Sequence, residues 1–193
     1  MQAFNSFEYP SIYPTLMAKA KELDFDMAAD PHFGNLLKTL VASKPKGLLL
    51  ELGTGIGSSL CWMQEGLDVG SKLITVDNDP QLSKLANHFF GKDNRLEIVC
   101  ADGYDWIPNY SGAPFDLIFA DAWPGKLNLL EETLALVKVG GLYVIDDMLP
   151  QPSWPEGHQE RIDALFQELS NRKDFCGSLL NWSTGIMILT RIA

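Results

Sequence analysis

The feature of this chain that most restricts its fold is a repeated alternation of short, unbroken apolar runs with segments of helix length. The runs occupy residues 47–52 (GLLLEL), 72–77 (KLITVD), 95–101 (RLEIVCA), 115–120 (FDLIFA), 141–146 (GLYVID), 175–180 and 185–190 (GIMILT). They are continuous rather than alternating in polarity, which is the pattern of strands buried on both faces. Between them, residues 58–66 follow a glycine loop. Asp79-Pro80 opens another helix, with Asp as N-cap and Pro at the first helical position. Residues 126–139 carry Leu127, Leu130, Leu134 and Val137 at helical spacing and run to Gly140-Gly141. Residues 159–169 repeat the pattern with Ile162, Leu165, Phe166 and Leu169. This alternation predicts an α/β fold, a doubly wound seven-stranded sheet with right-handed crossovers. Residues 181–184, between the last two runs, are too few for a parallel crossover. The sheet is therefore expected to be mostly parallel with an antiparallel last strand.

At 193 residues the chain is long enough for one domain, 1–193, and the reading divides it into an N-terminal helical segment (1–45) and an α/β core (46–193). Within the first part, residues 13–23 and 33–41 read as helices. Lys+Arg 15 against Asp+Glu 25 leave a net charge of −10, and no Lys/Arg cluster stands out, which argues against nucleic acid as a partner. No stretch reaches the ~18 apolar residues of a membrane span, and residues 1–8 lack the basic start and apolar run of a signal peptide. Cys61, Cys100 and Cys176 are too few and scattered for a disulfide framework or a zinc site; they read as buried free thiols in a reducing, cytoplasmic setting. The loop 147–157 (DMLPQPSWPEG), with three prolines and a tryptophan, has the character of a lid or binding loop.

Chemistry concentrates first in Glu51-Leu-Gly53-Thr54-Gly55-Ile-Gly57-Ser58, placed where a strand turns into a helix. Glycines there let a ligand approach the backbone, and the helix start offers free N–H groups. The next strand ends in Asp77, twenty residues after Gly57, where a carboxylate can accept hydrogen bonds from both ribose hydroxyls of a nucleoside; an ordinary turn role before Asp79-Pro80 is the alternative. A dinucleotide site wants G-x-G-x-x-G, but Ser58 holds the third glycine position and Gly57 comes one residue early. Glu51, two residues before the first glycine, suits a ligand with an amino group and no pyrophosphate, namely S-adenosylmethionine.

With these residues in place, the sequence resembles the class I S-adenosylmethionine-dependent methyltransferases. More narrowly, it is similar to the small catechol- and caffeoyl-CoA-type O-methyltransferases. The resemblance runs over about residues 27–190 and rests on ELGTGIG (51–57), TVDNDP (75–80), ADG (101–103), FDLIFADAWPGK (115–126) and GGLYVIDDM (140–148). It implies a Rossmann-like sheet and methyl transfer to a small-molecule acceptor, most directly a hydroxyl oxygen. Glu51 and the loop from Gly53 through Thr54, Gly55 and Gly57 to Ser58 would hold the methionine moiety. Asp77 would take the ribose, with Asn78 beside the adenine, and Asp102, followed by Gly103, would face the adenine amino group; a turn role for Asp102 is the alternative.

Asp121 follows the fourth strand, and Asp146 and Asp147 follow the fifth, so all three point into the crevice at the carboxyl ends of the central strands. Converging carboxylates repel one another unless a cation, a proton or N–H groups compensate. The resemblance implies a Mg²⁺ site at Asp121, Asp146 and Asp147, also bordering the cofactor at Asp121, although Asp147 stands where those relatives carry Asn. It further implies catalytic roles for Asp121 and for Lys126, the latter as the acceptor's base; Pro124-Gly125 lengthen the usual spacing by two residues, and a solvated residue opening the next helix is the alternative reading of Lys126. Trp123, Met148 and Trp154 flank the site as a candidate apolar wall. His88 reads as a helix-face residue, His158 as a residue near a helix start, and the role of His32 is open. The expected partners are a small-molecule acceptor, neither nucleic acid nor a membrane, with a homodimer left open. Two rival classes stand beside the methyltransferase reading: an NAD(P)-dependent oxidoreductase and a non-catalytic S-adenosylmethionine-binding module.

Overall fold

A computed structural model describes residues 8–151 and 154–193. Two helices lead in, α1 (Tyr13–Glu22) and α2 (Pro31–Ala42). Then β1 (Leu48–Leu52), α3 (Ser58–Gly66), β2 (Lys72–Asp77), α4 (Pro80–Phe90), β3 (Leu96–Cys100), α5 (Gly103–Asn109) and β4 (Phe115–Ala120) alternate. They are followed by the short α6 (Trp123–Lys126) and α7 (Leu130–Ala135), β5 (Val137–Ile145), α8 (His158–Asn171), β6 (Phe175–Leu180) and β7 (Ile186–Arg191). Helix starts coincide with local capping chemistry. Asp30 accepts from the N–H groups of His32 and Phe33 ahead of Pro31, and Asp79 accepts from Gln81 and Leu82 ahead of Pro80.

The strands form one seven-stranded sheet in the order β3-β2-β1-β4-β5-β7-β6. Every pairing is parallel except those of β7, which runs antiparallel to both β5 and β6; the five residues between β6 and β7 are too few for a parallel crossover. Successive residues of a strand feed opposite faces. Leu50 and Leu52 join one core with Ile118, Ile145 and Leu165, while Leu49 joins the other with Leu117, Phe119, Phe33 and Trp62. The strand order reverses between β1 and its parallel neighbour β4, so the loops after these two strands diverge and leave a crevice at their carboxyl ends.

Several expectations are corrected. The helix expected over 126–139 ends at Ala135, and its last predicted apolar residue, Val137, opens β5 instead. The strand begins earlier than Gly141 because a bulge lets Phe115 pair with Val137 before Leu117 pairs with Leu142. α5, with Pro108 inside its seven residues, has no counterpart in the predicted elements. Cys61 is buried, but Cys100 and Cys176 are exposed on the two edge strands, β3 and β6. Part of the predicted 147–157 loop, Pro152 and Ser153, lies outside the described residues, as do the first seven residues of the N-terminal stretch expected not to be a signal peptide. Among the described residues, no helix is long and apolar enough to cross a membrane.

Candidate active site

The glycine loop is held by its own strand neighbours. Gly53 N–H donates to the carbonyl of Val76 (2.9 Å), and Gly53, Gly55 and Gly57 take φ values of +100°, +53° and +86°, a region that residues with a Cβ enter at a steric cost. Asp77 closes the loop from β2. Its Oδ2 accepts from Gly55 N–H (2.8 Å) and its Oδ1 from Asp79 N–H (2.9 Å). Residues 24–30 cross above: Ala29 N–H donates to Ser58 Oγ (3.0 Å), and the Phe25 ring tip would stand 3.1 Å from a Cβ placed on Gly55.

Glu51 lies beneath the loop, fully buried. Its two oxygens accept from Ser59 Oγ (2.6 Å) and Thr75 Oγ1 (2.5 Å), and Thr75 Oγ1 also lies 2.6 Å from Thr54 Oγ1. Burial pushes the Glu51 carboxyl up to about 7, against the opposing effect of the two hydroxyl donors. Glu51 and Thr54 thus brace the loop from below, in a hydroxyl network that periodicity alone does not disclose.

Beside the loop opens a cavity of about 310 Å³ at the ends of β1, β2 and β3. Of the predicted cofactor residues, Gly53, Asp77, Asn78, Asp102 and Gly103 line it, whereas Glu51, Thr54, Gly55, Gly57, Ser58 and Asp121 do not. Asp102 also caps α5, accepting from Tyr104 N–H at 2.9 Å, so the turn role and a place at the cavity coincide. Tyr104, unmarked in the sequence, lines the same cavity and donates its hydroxyl to Asn128 Oδ1 (2.9 Å); the Asp102 cap is the signal that locates its helix. Trp123, half exposed, forms the wall on the β4 side. A cavity of this size, lined by two carboxylates and otherwise mostly apolar, suits a nucleoside.

Behind Trp123, Asp121, Asp146 and Asp147 place one carboxylate oxygen each within 4.8 Å of one another. Burial and the neighbouring Asp146 charge hold Asp121 well above the usual carboxylate range. The same two causes lift Asp147 to about 6, with Lys126 opposing them. Asp147 also takes a left-handed φ of +51°, which Asp and Asn tolerate better than most residues. Asp146 Oδ1 is buried with no hydrogen-bond partner among the described residues.

Lys126 is not the solvated residue of the alternative reading. Its side chain is 7% exposed, and Nζ stands 4.0 Å from Asp146 Oδ1. The turn that buries it is specific. Gly125 holds φ at +96°, donates to the Asn128 carbonyl (2.7 Å) and receives the Tyr143 hydroxyl on its own carbonyl (2.5 Å). On the far side, the His158 ring lies 4.6 Å from Trp154 and 6.2 Å from Trp123, while Arg161 caps the Trp123 ring at 5.0 Å. Burial and the charges of Lys126 and Arg161 lower the His158 pKa, which favours the neutral imidazole. The aromatic wall therefore includes Trp123, Trp154 and His158. Met148 is buried in the core beside them.

A family model described as O-methyltransferase matches residues 13–175. The chain is 26% identical over 127 residues to catechol O-methyltransferase of Mycobacterium tuberculosis, covering 64% of this chain and 58% of that relative. It thus spans less than two thirds of the length of the curated relatives it matches first. Among solved structures, it resembles the O-methyltransferase TomG of Streptomyces achromogenes in complex with SAM, with a TM-score of 0.82 and 21% identity over 96% of this chain and 92% of that one. It also resembles an O-methyltransferase of Bacillus cereus in complex with SAH, with a TM-score of 0.80 and 19% identity over 98% and 94% of the two chains.

Proposed function

The chain belongs to the O-methyltransferase family, and from that premise we propose that it transfers the methyl group of S-adenosylmethionine to a hydroxyl oxygen of a small-molecule acceptor. The observation that carries the reading is an adjacency. A nucleoside-sized cavity lined by Asp77, Asn78 and Asp102 is also lined by Ala122 and Trp123, which directly follow Asp121 of a cluster of three aspartates, one buried and two half-buried. The first would hold the adenosine. Each Asp77 oxygen accepts one backbone N–H and keeps lone-pair capacity for the ribose hydroxyls. The methionine moiety would extend past Gly53 along the glycine loop toward Asp121. Acids at both ends suit a sulfonium cation.

The three aspartates fit a hard divalent ion. All donors are oxygens, and Asp146 Oδ1 is buried without a hydrogen-bond donor. Asp121, Asp146 and Asp147 would hold Mg²⁺, which when bound supplies Lewis-acid polarisation of an acceptor hydroxyl. The residues' own part is alignment: the loop fixes the donor, while Trp123, Trp154 and His158 flank the acceptor's plane and exclude water. Lys126 is the proposed proton acceptor, a role that only its neutral amine form, having first given up a proton, can fill.

Radiolabelled methyl transfer from S-adenosylmethionine to a panel of catechols and simpler phenols tests this reading. We expect label in a phenolic ether, lost in chelator and restored by Mg²⁺. Label transfer undiminished in chelator would remove the metal from the proposal. Absence of label from every acceptor, beside tight S-adenosylhomocysteine binding, would favour the non-catalytic binding module.

A further inference from the structure

Lys126 has features that a proton acceptor alone does not need. An ammonium group this far from water is costly unless a counter-charge meets it, and here the counter-charge is Asp146. Yet the approach is loose. At 4.0 Å the pair offers charge compensation without a hydrogen bond, and Asp146 Oδ1 is left without a donor. The placement of the lysine is nevertheless rigid. The Gly125 turn is tied at its N–H to Asn128 and at its carbonyl to Tyr143. Leu127 and Asn128 N–H groups both return to the Trp123 carbonyl (2.9 and 3.0 Å).

We propose that Lys126 is a built-in counter-cation for the Asp121/Asp146/Asp147 cluster, one that a divalent ion must displace from Asp146 in order to bind. The inference rests on the proposed metal reading and adds a competitor to it. Three carboxylates within 4.8 Å of one another repel unless protons or positive charge compensate. Lys126 supplies one such charge in the absence of metal. A divalent ion bonded to Asp146 at ordinary oxygen distances would share the same oxygen with the ammonium, and two cations there repel each other. The protein therefore folds around the cluster unaided, and its affinity for metal is set below what the carboxylates alone would give.

Calorimetric titration with Mn²⁺ tests the idea on the whole chain, comparing wild type with Lys126→Met, Lys126→Gln and Lys126→Arg. Removal of the charge in the Met and Gln variants should tighten Mn²⁺ binding at least about tenfold, or about 1.4 kcal/mol. The Arg variant, which keeps the charge, should stay within about threefold of wild type. In chelator the neutral variants should melt below wild type, and saturating Mn²⁺ should restore them. If the Met variant folds only when Mn²⁺ is present, that too supports the proposal, since metal then replaces the missing cation. Equal or weaker Mn²⁺ affinity in the neutral variants would overturn the competition and leave the metal site standing. No Mn²⁺ binding by wild type or by either neutral variant would overturn both.

Discussion

Asp77 and Glu51 are both acids at strand ends beside the glycine loop, yet they do different work. Asp77 faces the cavity with each oxygen already on one backbone N–H. Asp77→Ala should lower S-adenosylhomocysteine affinity by about a hundredfold in calorimetry while the circular dichroism spectrum stays native; near-normal affinity would sink the ribose assignment. Glu51 is buried under Ser59 and Thr75, and its carboxyl is lifted from an ordinary 4.5 to about 7. A folded pKa above the unfolded one favours the protonated fold. Its contribution is full below about 4.5 and is lost as pH rises through about 7, worth about 3 kcal/mol. Glu51→Gln should therefore flatten the pH dependence of urea-unfolding stability across that window, and an unchanged slope would contradict the assignment. The carriers of local pattern, Asp77 and the glycines, were legible in the sequence because a strand, a turn and a helix start are neighbours along the chain. The burial of Lys126 and the meeting of His158 with Trp123 were not. The first depends on the Gly125 turn tied to Asn128 and Tyr143, the second on the start of α8 returning beside Trp123, and no spacing records either contact.

At the level of elements, the strands were read closely because apolar runs buried on both faces have few other ways to pack. The stretch 126–139 departs from its helical period for a physical reason. Its leucines keep helical spacing, but Leu129 takes a left-handed φ of +54° and α7 starts only after it. Beyond Ala135, Val137 pairs with Phe115 on β4, and that ladder outweighs the local period. α5 leaves no mark in the sequence because seven residues with a proline inside carry too little periodicity. The turn that opens this region depends on one glycine. A Cβ at Gly125 would stand 2.3 Å from Leu52 Cδ1, at a φ of +96°. Gly125→Ala should cost about 2–4 kcal/mol in chemical denaturation. The same change at Gly140, where a Cβ meets nothing within 4 Å and only the φ of +81° resists, should cost less. Equal costs would show that the packing against Leu52 is slack.

For the whole molecule, the sheet order collects the glycine loop, Asp77 and the three aspartates at the carboxyl ends of the central strands, so ligand binding should stabilise the entire cooperative unit. S-adenosylhomocysteine at about a hundred times its dissociation constant should raise the melting temperature by about 5–10 °C. NADH should leave it unchanged, and a shift with NADH instead would favour the oxidoreductase reading. The sheet order also has a consequence in time. β7 comes last in the chain but lies second from the edge, between β5 and β6, and β6 pairs with no other strand among the described residues. During synthesis the half of the sheet that carries the glycine loop can close early, whereas β6 leaves the ribosome with no neighbour to join. The loop after Asp147 waits on the same event, since Met148 and Leu149 N–H groups dock on the carbonyls of Gly185 and Thr184, just ahead of β7. The nucleoside half of the crevice is thus translated and assembled first, and the acidic half is locked only when the final strand is threaded in.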